Sequence, residues 1–213
     1  DYSLPELQKA VPQLHGLRPD SNQDQLRVLL TKAGKVIENL LRKTPSLLSR
    51  EQVEQASEME EGNSPNSVRL NRSRPRDFDN LTLFREDPVN LRTMLEEYRI
   101  DPQGRPIEPG VGDSRNPSSL GFKNAWLLFL PSDQSQSKFR YLGSQQVGDH
   151  GTFVVAFAQN PANVQVPAEV RFQGERIPVF WQGIAWVEEL TFRIIRLQSD
   201  LLDPVPSIHL QQL

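Results

Sequence analysis

Cysteine is absent from this chain, which excludes disulfides, thiolate zinc sites and cysteine nucleophiles together. Long apolar runs are absent too: none approaches the ~20 residues that a membrane-spanning helix needs. Neither sign of charge dominates. The net charge is −3, so a nucleic-acid role has no electrostatic support. Histidine is scarce. The three present, His15, His150 and His209, lie far apart and share no metal-ligand spacing. There is no G-x-S-x-G, no phosphate-binding glycine loop and no zinc motif. A hydrolase would need a nucleophile–base pair that this sequence does not display. The expectation is a chain with no catalytic residue, no metal and no cofactor.

What is present is a β-rich region from Phe139 to Leu202. Phe139-Arg-Tyr-Leu-Gly leads through a Gly148-Asp149-His150-Gly151 turn into Thr152-Phe-Val-Val-Ala-Phe-Ala. Phe180-Trp-Gln-Gly-Ile-Ala-Trp-Val-Glu-Glu leads into Thr191-Phe-Arg-Ile-Ile-Arg-Leu. Turn residues separate these runs, so they read as two antiparallel hairpins. Along 152–158, Phe153, Val155 and Phe157 fall on one face and Val154, Ala156 and Ala158 on the other. Both faces are apolar, so both are expected to be covered, the small-residue face by a closely approaching helix. A turn at Glu188–Leu190 would pair Val187 with Phe192 and Ile184 with Ile195, and would set Trp186 against Arg193 in a cation–π contact. Asp149-His150 and Glu188-Glu189 resemble catalytic pairs, but turn chemistry accounts for both.

Upstream, Ser3-Leu4-Pro5-Glu6 marks a helix start, and Pro12 limits that helix to a few turns. Ser21 and Asp24 open a longer helix whose stripe is Leu26, Leu29, Leu30, Ala33, Ile37, Leu40 and Leu41; Pro45 stops it. Its apolar face is expected to pack on the domain's own sheet, with docking to a partner as the other reading. Glu51–Glu60 reads as a charged edge strand, with Glu58, Glu60 and Glu61 as a weaker metal-cluster alternative. The arginine-rich stretch 62–79 reads as a mobile basic loop, with an anionic headgroup or a partner's acidic face as its alternative ligands. Leu81–Phe84 and Thr93–Asp101 read as strands, the second followed by an Asp101-Pro102-Gln103-Gly104 turn; 102–119 reads as a long loop. Phe122, Ala125, Trp126 and Phe129 have helical spacing, which predicts a short helix ending before Pro131. The 17 prolines argue against a long helical bundle.

The ordered motifs Phe139-Arg-Tyr-Leu-Gly, Val155-x-Phe-Ala-x-Asn-Pro, Gln182-Gly-Ile-Ala-Trp and Ile194-x-Arg-Leu-x-Ser-Asp-Leu-Leu-x-Pro resemble exported bacterial proteins of LolA-like fold, especially a group of acidobacterial hypothetical proteins. Glu97-Tyr98-Arg99, Gly121-Phe122 and Pro45-Ser46-Leu47 fit more loosely, and Val187-Glu188 stands where that group has Ile-Asp. The resemblance spans roughly residues 22–204. It implies an α+β fold: a curved antiparallel sheet, an unclosed barrel, with N-terminal helices and a short helix packed on it. It divides the chain into an N-terminal arm or short helix, 1–20, and a single domain, 21–213, cut short at its last strands as Ile208-His209-Leu210 begins.

The function implied is a non-catalytic periplasmic or envelope binding protein with an apolar cavity for lipid or acyl chains. Its lining candidates are Trp126, Phe129, Tyr141, Phe153, Phe157, Trp181, Trp186 and Phe192. The alternative is an accessory subunit of an envelope complex, met by a protein partner at an open sheet edge. The first residue is Asp and no signal peptide is visible, so an exported chain with its targeting segment already removed is expected.

Overall fold

In the computed structural model the described residues are 2–44, 46–54, 56–60, 68–86, 93–101, 103–107, 118–119, 124–165, 167–172, 175–208 and 210. The chain divides into two compact units. One comprises Asp1–Thr44 and Gly112–Leu213, the other Pro45–Val111. The sequence reading placed no boundary at Pro45 or Val111. The class is α+β, every strand pair is antiparallel, and among the described residues no sheet closes into a barrel.

The first unit begins with α1, Leu4–Ala10. Glu6 accepts from the Ser3 backbone N–H at 2.6 Å, which closes the first turn. A 3₁₀ turn, Pro12–Leu14, and the short β1, Arg18–Pro19, lead to α2, Asp24–Lys43. Ser21 does not cap α2. The chain enters it through two side-chain turns, Asn22 N–H to Asp20 Oδ1 at 2.8 Å and Asp24 N–H to Asn22 Oδ1 at 2.9 Å. Leu29, Leu30, Ala33, Ile37 and Leu41 bury the predicted stripe, while Leu40 stays exposed.

After β8, Ser118–Ser119, a four-residue helix α3 covers Asn124–Leu127 and ends before Pro131, as expected. Phe129 lies beyond it in the following turn, and Phe122 lies outside the described residues. The main sheet then forms in the order β1-β9-β10-β13-β14, with β9 Ser137–Val147, β10 His150–Gln159, β13 Trp181–Glu188 and β14 Ile194–Leu201. These are the two expected hairpins. Between them lies a hairpin absent from the sequence reading, β11 Ala168–Phe172 and β12 Glu175–Val179, which joins β8 in a separate three-stranded sheet.

The register of the second hairpin corrects the sequence reading. Val187 pairs with Ile194 rather than Phe192, Ile184 with Gln198 rather than Ile195, and Trp186 with Arg196 rather than Arg193. The cause is a longer turn together with a bulge between Trp186 and Val187. The cation–π contact survives with the other arginine: the Arg196 guanidinium lies 5.5 Å from the Trp186 ring.

Both faces of β10 are covered. On the small-residue face, Val154 packs with Leu14, Leu17, Leu142, Ile184 and Trp186, and Leu4, Leu7 and Val11 of the N-terminal helical segment close over them. On the large-residue face, Val155 packs with Tyr141, Val187 and the α2 residues Leu29 and Ala33. Gln23 pins the start of α2 to the sheet, donating to Tyr141 O and accepting from Tyr141 N–H, each at 2.9 Å. It does so beside a bulge at Leu142, where the edge of β9 would otherwise lack a partner for Tyr141.

The second unit contains β2 Ser46–Val53, β3 Ala56–Glu60, β4 Val68–Arg72, β5 Arg76–Glu86, β6 Thr93–Ile100 and β7 Pro106–Ile107. A four-stranded sheet has the order β2-β5-β6-β7, and β3 and β4 form a separate hairpin between β2 and β5. The stretch expected to be a basic loop from 62 to 79 therefore supplies two strands; residues 61–67 lie outside the described set. Leu81–Phe84 is the interior of an eleven-residue strand. Thr93–Ile100 forms as expected, and its turn is held by Asp101, which accepts from the backbone N–H groups of Gln103 and Arg105. Within the region read as a long loop, Pro106–Ile107 and Ser118–Ser119 are strands, and 108–117 lie outside the described residues. Pro206–Ile208 is a 3₁₀ turn rather than a strand, and Val205 bridges Leu210 across it.

Candidate functional site

The eight aromatic candidates fall into two settings. Phe129, Tyr141, Phe157, Trp181 and Trp186 are buried, whereas Trp126, Phe153 and Phe192 are half-buried. On the α2 side the rings meet edge to face: Phe129 with Phe139 at 5.3 Å, Phe129 with Phe157 at 5.6 Å, and Tyr141 with Phe153 at 6.2 Å. Phe192 stacks on Phe153 at 6.3 Å, and the Lys32 ammonium lies 4.4 Å from the Phe192 ring. Phe192 has φ +59°, in the left-handed region, so its ring is held there by packing against backbone preference. Trp181 shares this face through the alternation Trp181, Gly183, Ala185, Val187. Burial raises the Tyr141 hydroxyl above its usual pKa, with lesser contributions from Asp20 and Glu189.

Trp186 points the other way, into the α1 side of the sheet. Its indole N–H donates to Gln145 Oε1 at 2.9 Å. Gln145 Nε2 in turn donates to Gln13 O and His15 O, both at 2.8 Å. One buried amide thus ties the N-terminal turn, β9 and β13 together. Neither its role nor that of Gln23 has a sequence signature, because each depends on contacts more than 100 residues apart along the chain for its backbone partners.

At one end of the main sheet the two dismissed polar pairs come together. His150 Nδ1 lies 2.5 Å from Glu188 Oε1, and Thr191 Oγ1 donates to Glu188 Oε2. Glu189 N–H bonds Gly151 O at 3.0 Å. The carboxylate, not the imidazole, is the centre of this cluster. Thr191 donates a hydrogen bond to one carboxylate oxygen and His150 meets the other. The group therefore works as a clasp between two turns. Thr191 and then His150 hold the Glu188 carboxyl below its usual range. A depressed carboxyl pKa stabilises the fold above the unfolded value, 4.5, and the contribution is lost as pH falls through the folded pKa. The denaturant midpoint of the wild type is expected to exceed that of Glu188→Gln above the unfolded value of 4.5 and to converge on it as pH falls through the lowered folded pKa. A gap that persists unchanged at the acid end would contradict this assignment.

In the second unit, Arg99 grips Glu51 with two bonds, Nε to Oε2 at 2.7 Å and Nη2 to Oε1 at 2.8 Å. The guanidinium also lies 5.8 Å from the Phe78 ring, and the hydrogen bonds it donates to Glu51 raise its pKa. This pair and the buried Asn80 and Thr82 occupy one face of the sheet. The opposite face carries an apolar row across three strands, because Leu48 pairs with Leu81 and Leu81 with Tyr98. Leu48 is 64% exposed and Tyr98 40%, so both ends of the row face solvent. Leu48 stands on β2, and β2 is the terminal strand of the sheet among the described residues. Glu96 flanks the row, bonded by Tyr98 Oη at 3.3 Å and by Arg85 at 2.9 Å.

Among the described residues no group of three or more potential ligands could hold a metal ion, and no helix is long and apolar enough to cross a membrane. No protein family, no curated protein and no solved structure matches the chain.

Proposed function

We propose that the protein is a non-catalytic interaction subunit of a bacterial envelope assembly, which accepts an extended segment of a partner protein as an added strand on β2. The observation that carries this reading is that β2, eight residues long, is terminal in its sheet among the described residues and carries Leu48, the exposed end of the row Leu48–Leu81–Tyr98. Main-chain bonds to an edge give affinity, and a row of apolar side chains on the adjoining face gives specificity. The envelope setting rests on the LolA-like resemblance.

A photo-crosslinking residue at Leu48, in the source organism, is expected to trap one discrete partner. The same group at Lys138 is expected to trap none, and Tyr98→Glu should abolish the Leu48 adduct without unfolding the protein. A purified chain that remains a monomer, with no adduct from position 48, overturns the reading.

Carriage of an acyl chain is the second reading, and one feature favours it: Trp126, Phe153 and Phe192 stay half-buried while their neighbours are fully covered. Against it, Phe129, Trp181 and Trp186 are less than about 2% exposed and already fill the core. Native mass spectrometry after gentle purification separates the two. A retained lipid adduct would carry the carrier reading; no adduct, and no uptake of a fluorescent fatty acid, would remove it.

A further inference from the structure

Strand β2 alternates strictly. Ser46, Leu48, Arg50 and Gln52 are exposed, while Leu47, Ser49, Glu51 and Val53 are half-buried. A strand added beside β2 meets the first set on one face and the second on the other. β2 has one acid and one base. The acid is closed already, because both carboxylate oxygens of Glu51 accept from Arg99. Gln52 is occupied too, donating to Asp77 Oδ1 at 3.1 Å. The base is not closed. Arg50 stands opposite Asp79 on β5, but no ion pair joins the two, and among the described residues none joins Arg50 to another carboxylate. An exposed cation thus stands two residues from the exposed Leu48, on one face of the terminal strand.

We infer, resting on the strand addition proposed above, that the added strand belongs to a different protein and carries an apolar side chain and a carboxylate two residues apart. The apolar residue stands opposite Leu48 and the carboxylate opposite Arg50. Directly opposite residues share a face of the sheet, so both contacts fall on the exposed side. The apolar residue lengthens the row Leu48–Leu81–Tyr98 by one strand. The carboxylate sets the guanidinium between itself and Asp79. Order along the partner then reports direction. In an antiparallel strand the acid lies two residues before the apolar residue, and in a parallel one two residues after it.

A second copy of β2 does not meet this requirement. A two-fold axis at Leu48 sets Arg50 opposite Ser46, an axis at Ser49 sets it opposite Leu48, an axis at Arg50 sets it opposite itself, and an axis at Glu51 sets it opposite Gln52. No register within the strand sets a carboxylate against Arg50, because Glu51 stands on the other face. An arginine on a terminal strand can also serve to repel stray strands. The two roles give opposite signs when the charge is removed, so experiment separates them.

The photo-crosslinking residue at Leu48, in the full chain in the source organism, supplies the readout. Arg50→Glu should lower the adduct yield about fivefold, since an attraction becomes a repulsion; Arg50→Ala should lower it less, and Arg50→Lys should keep most of it. Mass spectrometry of the captured segment should find Asp or Glu two residues from the apolar residue at the attachment point. Changing that acid to lysine should restore the adduct of Arg50→Glu, which excludes misfolding as the cause of the loss. A yield that rises in Arg50→Ala assigns Arg50 to repulsion and overturns the inference. An unchanged yield in Arg50→Glu, a captured segment with no acid at that spacing, or capture of a second copy of the chain would also overturn it, while leaving strand addition at β2 standing. No adduct from position 48 with Arg50 in place would remove the strand addition and this partner chemistry together.

Discussion

Trp186→Ala is expected to destabilise the protein by about 3–5 kcal/mol, the cost of an unfilled cavity at a fully buried aromatic site. The ring contributes more than volume. It fills the space between Val154, Ile184 and the N-terminal leucines, and its N–H satisfies Gln145. Trp186→Phe keeps most of the packing and removes only the donor. It should cost about 1–3 kcal/mol, the penalty for leaving a buried acceptor unpaired. Gln145→Leu should match or exceed the phenylalanine variant, since it strands Gln13 O and His15 O as well as the indole N–H. Urea midpoints for the three variants would check the order. If Trp186→Phe were neutral, the amide would not be the tie between the N-terminal turn and the sheet.

The residues that could be read from the sequence are those whose pattern is local. The stripe of α2, the Gly148–Asp149 turn and the alternation along β10 each express a period within one element. Covering of both faces of β10 followed from that alternation, and the Val154–Ala156 side does receive a helical segment. The second hairpin was readable as a hairpin but not in register. A bulge at Trp186 and a five-residue excursion from Glu189 to Arg193 leave no mark that a strict alternation would reveal.

The second unit was obscured for a different reason. Its strands carry polar residues on both faces: Asn80 and Thr82 are buried, while Arg50, Asp79 and Arg85 are exposed. Apolar periodicity therefore fails as a signal there. The acidic run near 51–60 and the arginine run near 69–76 were read as an edge and a loop. The first run does lie on edge strands, β2 and β3, and the second is the facing leg of the same ladders, where no acid of the first run stands directly opposite an arginine of the second to betray the pairing. The His150–Glu188 contact had no local clue at all. It appears only when β10 lies beside β13, which sets Thr152 opposite Glu188.

Gly183→Ala is expected to lower stability by about 1–3 kcal/mol or more, although it adds a single methyl group. Gly183 sits in β13 opposite Ser199 and beside Phe157. A methyl group there would meet the Phe157 ring at 2.8 Å and the backbone oxygen of Gln198 closer still. The two clashes are unequal. A ring can turn, and Gly183→Ala combined with Phe157→Leu should recover the part of the loss due to the ring. The Gln198 carbonyl belongs to the strand backbone, so relief there requires β14 to move away from β13. The double variant should therefore remain less stable than Phe157→Leu alone. Full recovery of stability in the double variant would show that the aromatic ring, and not the neighbouring strand, requires glycine at this position.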